Sequence, residues 1–109
     1  MTNRIAKREI VYSDLNNHFV VINDVKYGSD FVLYKESVDH EHAFALVFVK
    51  DESSILTDKE KIIISRICES VKKRGIIAYV DYHTKTVKYE ELIRKKNNNT
   101  KRITNIYAL

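Results

Sequence analysis

The segment Ile76 to Val80, IIAYV, is short and apolar throughout, with none of the polar alternation of a strand that keeps one face in water. It suits a strand buried on both faces, and a sheet holding such a strand must be covered on both sides. Two more apolar runs, Phe31 to Tyr34 and Phe44 to Val49, read as strands joined by the polar connection Lys35 to Glu41. Phe19 to Ile22 reads as an earlier strand, with Asn23 and Asp24 as the turn after it; Thr86 to Arg94 reads as a longer, more charged final strand. Gly28 marks a bend or bulge before Asp30.

The covering layers come from two helical patterns. Ile5, Ile10 or Val11, and Leu15 fall near helical spacing between Arg4 and Asn16. Thr57-Asp58-Lys59-Glu60 has the form of a capping box, after which Ile63, Ile64, Ile67 and Val71 make a helical stripe. Lys72, Lys73 and Arg74 crowd the last turn, where the helix dipole favours cations, and Gly75 is placed to close the helix. The expected fold is α/β: a small mixed sheet of four to five strands flanked by two helices.

With 109 residues and 44% hydrophobic content, the chain allows a single modest core and one domain. No apolar run approaches the ~20 residues of a membrane span, and MTNRIAKREI lacks the apolar centre of a secretory signal, so a soluble intracellular protein is expected. The lone cysteine, Cys68, lies among Ile63, Ile64, Ile67 and Val71 and reads as a small core residue rather than a reactive thiol. The net charge of +4 is uneven, because Arg94, Lys95, Lys96, Lys101 and Arg102 share a stretch with no acid. Residues 95–109 are therefore read as a basic polar tail, suited either to a phosphate backbone or simply to solvent.

Chemistry is best sought where one strand ends at Tyr34 and the next begins after His42. If those strands are neighbours, a phenol and an imidazole meet at one end of the sheet, an acid and a base needing no metal. His40 and His42 form an H-x-H pair that could hold a metal, but no further ligands stand at recognisable spacing. His40, between Asp39 and Glu41, reads as part of a solvated connection.

Three blocks in order extend this reading: Gly28-Ser29-Asp30-Phe31-Val32-Leu33-Tyr34, then His42-Ala43-Phe44-Ala45-Leu46-Val47, then Arg66-Ile67-Cys68-Glu69-Ser70-Val71-Lys72-Lys73. Together they resemble the catalytic domain of tRNA-splicing (tRNA-intron) endonucleases, over roughly Arg8 to Arg94. The resemblance implies a restriction-endonuclease-like fold, a catalytic domain over residues 1–94, and metal-independent cleavage of precursor tRNA at exon and intron junctions. It implies Tyr34 as general base, His42 as general acid and Lys73 as transition-state stabiliser, with 2′,3′-cyclic phosphate and 5′-hydroxyl ends and no cofactor. A phenol in water titrates near ~10, so a tyrosine base needs cations close by.

The same resemblance implies that Arg66, with Arg94 as its partner on the final strand, grips a bulged base at a neighbouring subunit's site. A homodimer or a heteromeric assembly with other splicing subunits follows, with Thr86 to Arg94 as the pairing edge and Val87, Tyr89 and Ile93 as its apolar face. It places the protein in the nucleus of a eukaryote or the cytoplasm of an archaeon. Three readings compete: a noncatalytic subunit of the same assembly, a metal-dependent nuclease using Asp30 as a ligand, and a plain RNA-binding module. A catalytic domain alone is expected, without the N-terminal domain that many relatives carry, and Asp81 to Thr86 has one acid where some relatives have an acid-rich loop.

Overall fold

The structure is a computed structural model that describes residues 3–39, 41–93 and 100–109. Helix α1, Asn3–Leu15, opens the chain. Val11 and Leu15 are fully buried and Ile10 packs with them, whereas Ile5 stays largely exposed. The buried face thus lies toward the helix's C-terminal half, and each fully buried Val or Leu contributes about 1.5–3 kcal/mol.

Six strands follow: β1 (Val20–Asn23), β2 (Phe31–Tyr34), β3 (Ala45–Asp51), β4 (Arg74–Asp81), β5 (Thr86–Leu92) and β6 (Thr100–Ile103). They form one sheet in chain order. Every neighbouring pair is antiparallel except β3 and β4, whose parallel pairing is made possible by helix α2, Asp58–Val71, crossing between them. The sheet is mixed, as expected, with one strand more than the upper expectation.

The alternation of the central strands explains why both faces are dry. On β4, Ile76, Ala78 and Val80 join α1's Val11 and Leu15, with Phe31, Leu33, Val47 and Val49 beside them. Ile77 turns the other way, joining Leu46, Phe48 and Leu92 under Ile64 and Cys68 of α2. Cys68 is fully buried in this second cluster, in keeping with the core reading. The capping box of α2 forms in full: Glu60 N–H donates to Thr57 Oγ1 (3.1 Å), and Thr57 N–H donates to Glu60 Oε1 (3.0 Å).

Four expectations need correction. Gly75 does not close α2. Lys72 takes the left-handed conformation (φ 56°) instead, and Gly75 lies in β4, where a Cβ would come 2.8 Å from Cys68 Sγ. The glycine serves close helix-to-sheet approach, and Ile63, expected in the apolar stripe, is 49% exposed.

Nor is the chain after residue 94 wholly a tail. Thr100–Ile103 pairs with β5, and a short 3₁₀ turn, Ile106–Ala108, buries Ile106 in the α1-side core. Tyr107 Oη donates to Asp14 Oδ1 (2.7 Å) and its ring lies 3.9 Å from that of His18. β5 is therefore not an edge: β6 covers it, and Tyr89 is buried with its hydroxyl donating to Asp14 Oδ2 (2.6 Å). Basic composition concealed the apolar anchors Ile103, Ile106 and Leu109 that hold this segment.

Candidate active site

Strand direction does most of the work of assembling the site. β2 runs opposite to β3, while β3 and β4 run together, so the C-terminal end of β2 and the N-terminal ends of β3 and β4 share one end of the sheet. Backbone bonds extend the ladder there: Phe44 N–H donates to Leu33 O and Arg74 N–H to Phe44 O, each at 3.0 Å. Tyr34, His42 and Lys73 leave the sheet from these three neighbouring positions.

Each is presented differently. Tyr34 is half-buried, its ring packed on the α2-side cluster. His42 is exposed, just before Ala43 enters that cluster. The link between them is pinned by Glu41, whose Oε2 accepts the backbone N–H of Lys35 (2.6 Å) and Glu36 (3.2 Å). Neither the Tyr34 hydroxyl nor the His42 ring has a hydrogen-bonding partner among the described residues.

Lys73 reaches the site through the way α2 ends. Lys72 N–H donates to Glu69 O (3.2 Å) and Lys73 N–H to Cys68 O (3.0 Å), the paired bonds that close a helix around one left-handed residue. A lysine in that conformation costs about 1–2 kcal/mol relative to an ordinary one. The closure turns Lys73 out of the helix, and its half-buried side chain donates from Nζ to Ala43 O (3.1 Å). Lys73 and Arg66 consequently do not share a helical face two turns apart. Arg66 stands exposed on α2 without an ion-pair partner among the described residues. Arg94 lies outside the described residues, as does His40.

Other groups have structural duties. Asp30 accepts from Arg4 Nη2 at Oδ1 (2.7 Å) and from Val49 N–H at Oδ2 (2.7 Å), and the Arg8 guanidinium lies 3.2 Å from Oδ1. Both oxygens are occupied, so Asp30 ties α1 to β2 and β3 rather than standing open to a ligand. Arg74 forms a two-pronged pair with Glu91, 2.8 Å on each arm. Among the described residues no three His, Cys, Asp or Glu side chains are arranged to hold a metal.

The roomier grooves lie along α1, one of about 860 Å³ lined by Tyr12, Ile22 and Phe31, another of about 770 Å³ reaching Tyr82. Neither is lined by Tyr34, His42 or Lys73. Sequence reasoning missed Tyr27, whose ring lies 5.9 Å from Lys73 Nζ. The available signal was an aromatic directly before a glycine in an Asp-rich turn.

Residues 5–89 match the family model described as tRNA intron endonuclease, catalytic C-terminal domain. A tRNA-splicing endonuclease of Saccharolobus solfataricus is 37% identical over 90 residues, covering 79% of this chain and 50% of that protein. Its namesakes from Saccharolobus islandicus and Sulfolobus acidocaldarius are 36% and 34% identical over 80 residues, 72% of this chain and 44% of each of theirs. The chain spans about half the length of these relatives.

Proposed function

Because this chain belongs to the tRNA intron endonuclease family, matching its catalytic C-terminal domain, we propose that it cleaves precursor tRNA at exon and intron junctions with Tyr34, His42 and Lys73. The observation that carries this reading is the meeting of the β2, β3 and β4 ends, with Tyr34 and His42 unengaged. By contrast, the hydroxyls of Tyr89 and Tyr107 are both committed to Asp14.

The 2′-hydroxyl before the scissile phosphate attacks phosphorus, passing its proton to the Tyr34 phenolate. The bond from phosphorus to the 5′-oxygen breaks as protonated His42 gives that oxygen a proton. Lys73 faces the negative charge on the phosphorane, a contact of a kind that contributes roughly 2.7–4 kcal/mol. The products are a 2′,3′-cyclic phosphate and a 5′-hydroxyl, and the balanced scheme calls for no metal. The fold is proposed to be restriction-endonuclease-like, with the catalytic domain over residues 1–94 and β6 extending its sheet. Exposed Arg66 suits a contact with RNA at a neighbour's site, in a homodimer or with other splicing subunits. The archaeal relatives favour a cytoplasmic location.

The test is cleavage of an intron-containing tRNA precursor in EDTA by the chain and its Tyr34→Phe, His42→Ala and Lys73→Ala variants. Each variant is expected to lose about 10²-fold or more in rate while staying folded. Fully active folded variants would sink the triad, and 3′-hydroxyl ends would sink the chemistry.

A further inference from the structure

The loop between β1 and β2 is organised by one carboxylate. Asp24 Oδ1 accepts from the N–H groups of Lys26 (2.7 Å) and Tyr27 (2.8 Å), and Oδ2 accepts from the N–H (2.7 Å) and hydroxyl (2.5 Å) of Ser29. Burial pushes this carboxyl up, but the hydrogen bonds from Ser29, Tyr27 and Lys26 outweigh it and hold the group below its ordinary value. Gly28 has φ +98°, which L side chains rarely adopt, and its Cβ position is 3.8 Å from Ile67 Cδ1 of α2. The loop is thereby laid over the last turns of α2.

Its consequence is the placement of Tyr27, half-buried against the α2-side cluster. The Lys73 ammonium rests 5.9 Å from the centre of that ring and donates to Ala43 O at 3.1 Å. No carboxylate pairs with Lys73 among the described residues, whereas Lys7 and Lys50 each have one, in Asp51 and Glu60. The difference is chemical. A carboxylate would neutralise the charge a phosphorane needs, while a carbonyl dipole and an aromatic face hold an ammonium in place and leave it cationic.

We infer that Tyr27 is a positioning residue for Lys73, its ring forming the wall that keeps the ammonium at the sheet end. This rests on the reading of Lys73 as the transition-state stabiliser. The ring face matters and the hydroxyl does not, since Tyr27 Oη has no hydrogen-bonding partner among the described residues.

The experiment compares Tyr27→Phe and Tyr27→Leu in the full chain, alone and with Lys73→Ala, by precursor-tRNA cleavage, and the chains that keep Lys73 also by proton NMR of its ε-methylene. Tyr27→Leu is expected to lower kcat about tenfold with KM within about twofold, since misplacement of about 1 Å can cost 10²-fold. Tyr27→Phe should restore kcat to within about threefold of wild type. The ε-methylene resonance should show a ring-current shift that Phe keeps and Leu abolishes. In the Lys73→Ala background, Tyr27→Leu should add less than about twofold.

A folded Tyr27→Leu chain with unchanged kcat, a loss that persists in full without Lys73, or an unchanged ε-methylene shift overturns the inference and leaves the catalytic reading standing. Full activity of Lys73→Ala itself overturns that reading and the inference with it.

Discussion

Replacing Gly75 by alanine tests how the sheet end holds Lys73. The added Cβ would lie 2.8 Å from Cys68 Sγ and 3.7 Å from Ile64 Cγ2 and Leu92 Cβ. Carbon and sulfur in ordinary contact stand about 3.5–4 Å apart, so roughly 1 Å must be found. Cys68 is fully buried and packed with Ile64 and Leu92, leaving α2 to move away from β4. Overpacking of this kind costs about 1–3 kcal/mol, and the stiffer unfolded chain returns about 0.4–1. A net loss of about 1–2 kcal/mol corresponds to a fall in Tm of about 4–16 °C for a domain of this size. Thermal unfolding monitored by circular dichroism reads it directly. Cys68→Ala should relieve the clash, so the double variant should be more stable than the sum of the single losses by about 1 kcal/mol or more. Because Arg74 N–H holds Phe44 O beside the site, the cleavage rate should fall with Gly75→Ala and recover in the double variant. An unchanged Tm for Gly75→Ala, or strictly additive losses, would refute the steric account.

Alkaline stability should depend on the two tyrosines bound to Asp14. The bond to Asp14, with burial behind it, pushes Tyr107 up to about 12, and burial followed by that carboxylate raises Tyr89 further. Raised folded values mean stability fully present below about 10, where unfolded tyrosine titrates, and lost as pH rises through 12 and beyond. Denaturant titrations between pH 9 and 12 should show a shallower decline for the Tyr89→Phe/Tyr107→Phe chain than for wild type; parallel curves would count against this linkage. Thr57→Ala removes the cap that receives Glu60 N–H and should cost about 1 kcal/mol by urea denaturation. Asp30→Ala strands Val49 N–H and removes the carboxylate beside the Arg4 and Arg8 guanidinium groups, so a loss of about 1–3 kcal/mol is expected, and a change under 0.5 would show the carboxylate to be dispensable.

Local rules governed what could be read from the residues alone. The capping box at Thr57 depends on side chains three residues apart, and the burial of Ile76, Ile77, Ala78 and Val80 depends on the run being apolar throughout, so each was legible before folding. The motif blocks supplied Tyr34, His42 and Lys73, but only strand direction, set by α2 crossing between β3 and β4, brings their backbone positions to one sheet end. Tertiary contact also decided which residue closes α2: Gly75 was needed against Cys68 Sγ, and the left-handed turn fell to Lys72. The last ten residues show the same division. Their composition suggested a basic polar tail, yet Ile103, Ile106 and Tyr107 find Tyr89, the α1-side core and Asp14, distant partners in the chain that no local pattern can reveal.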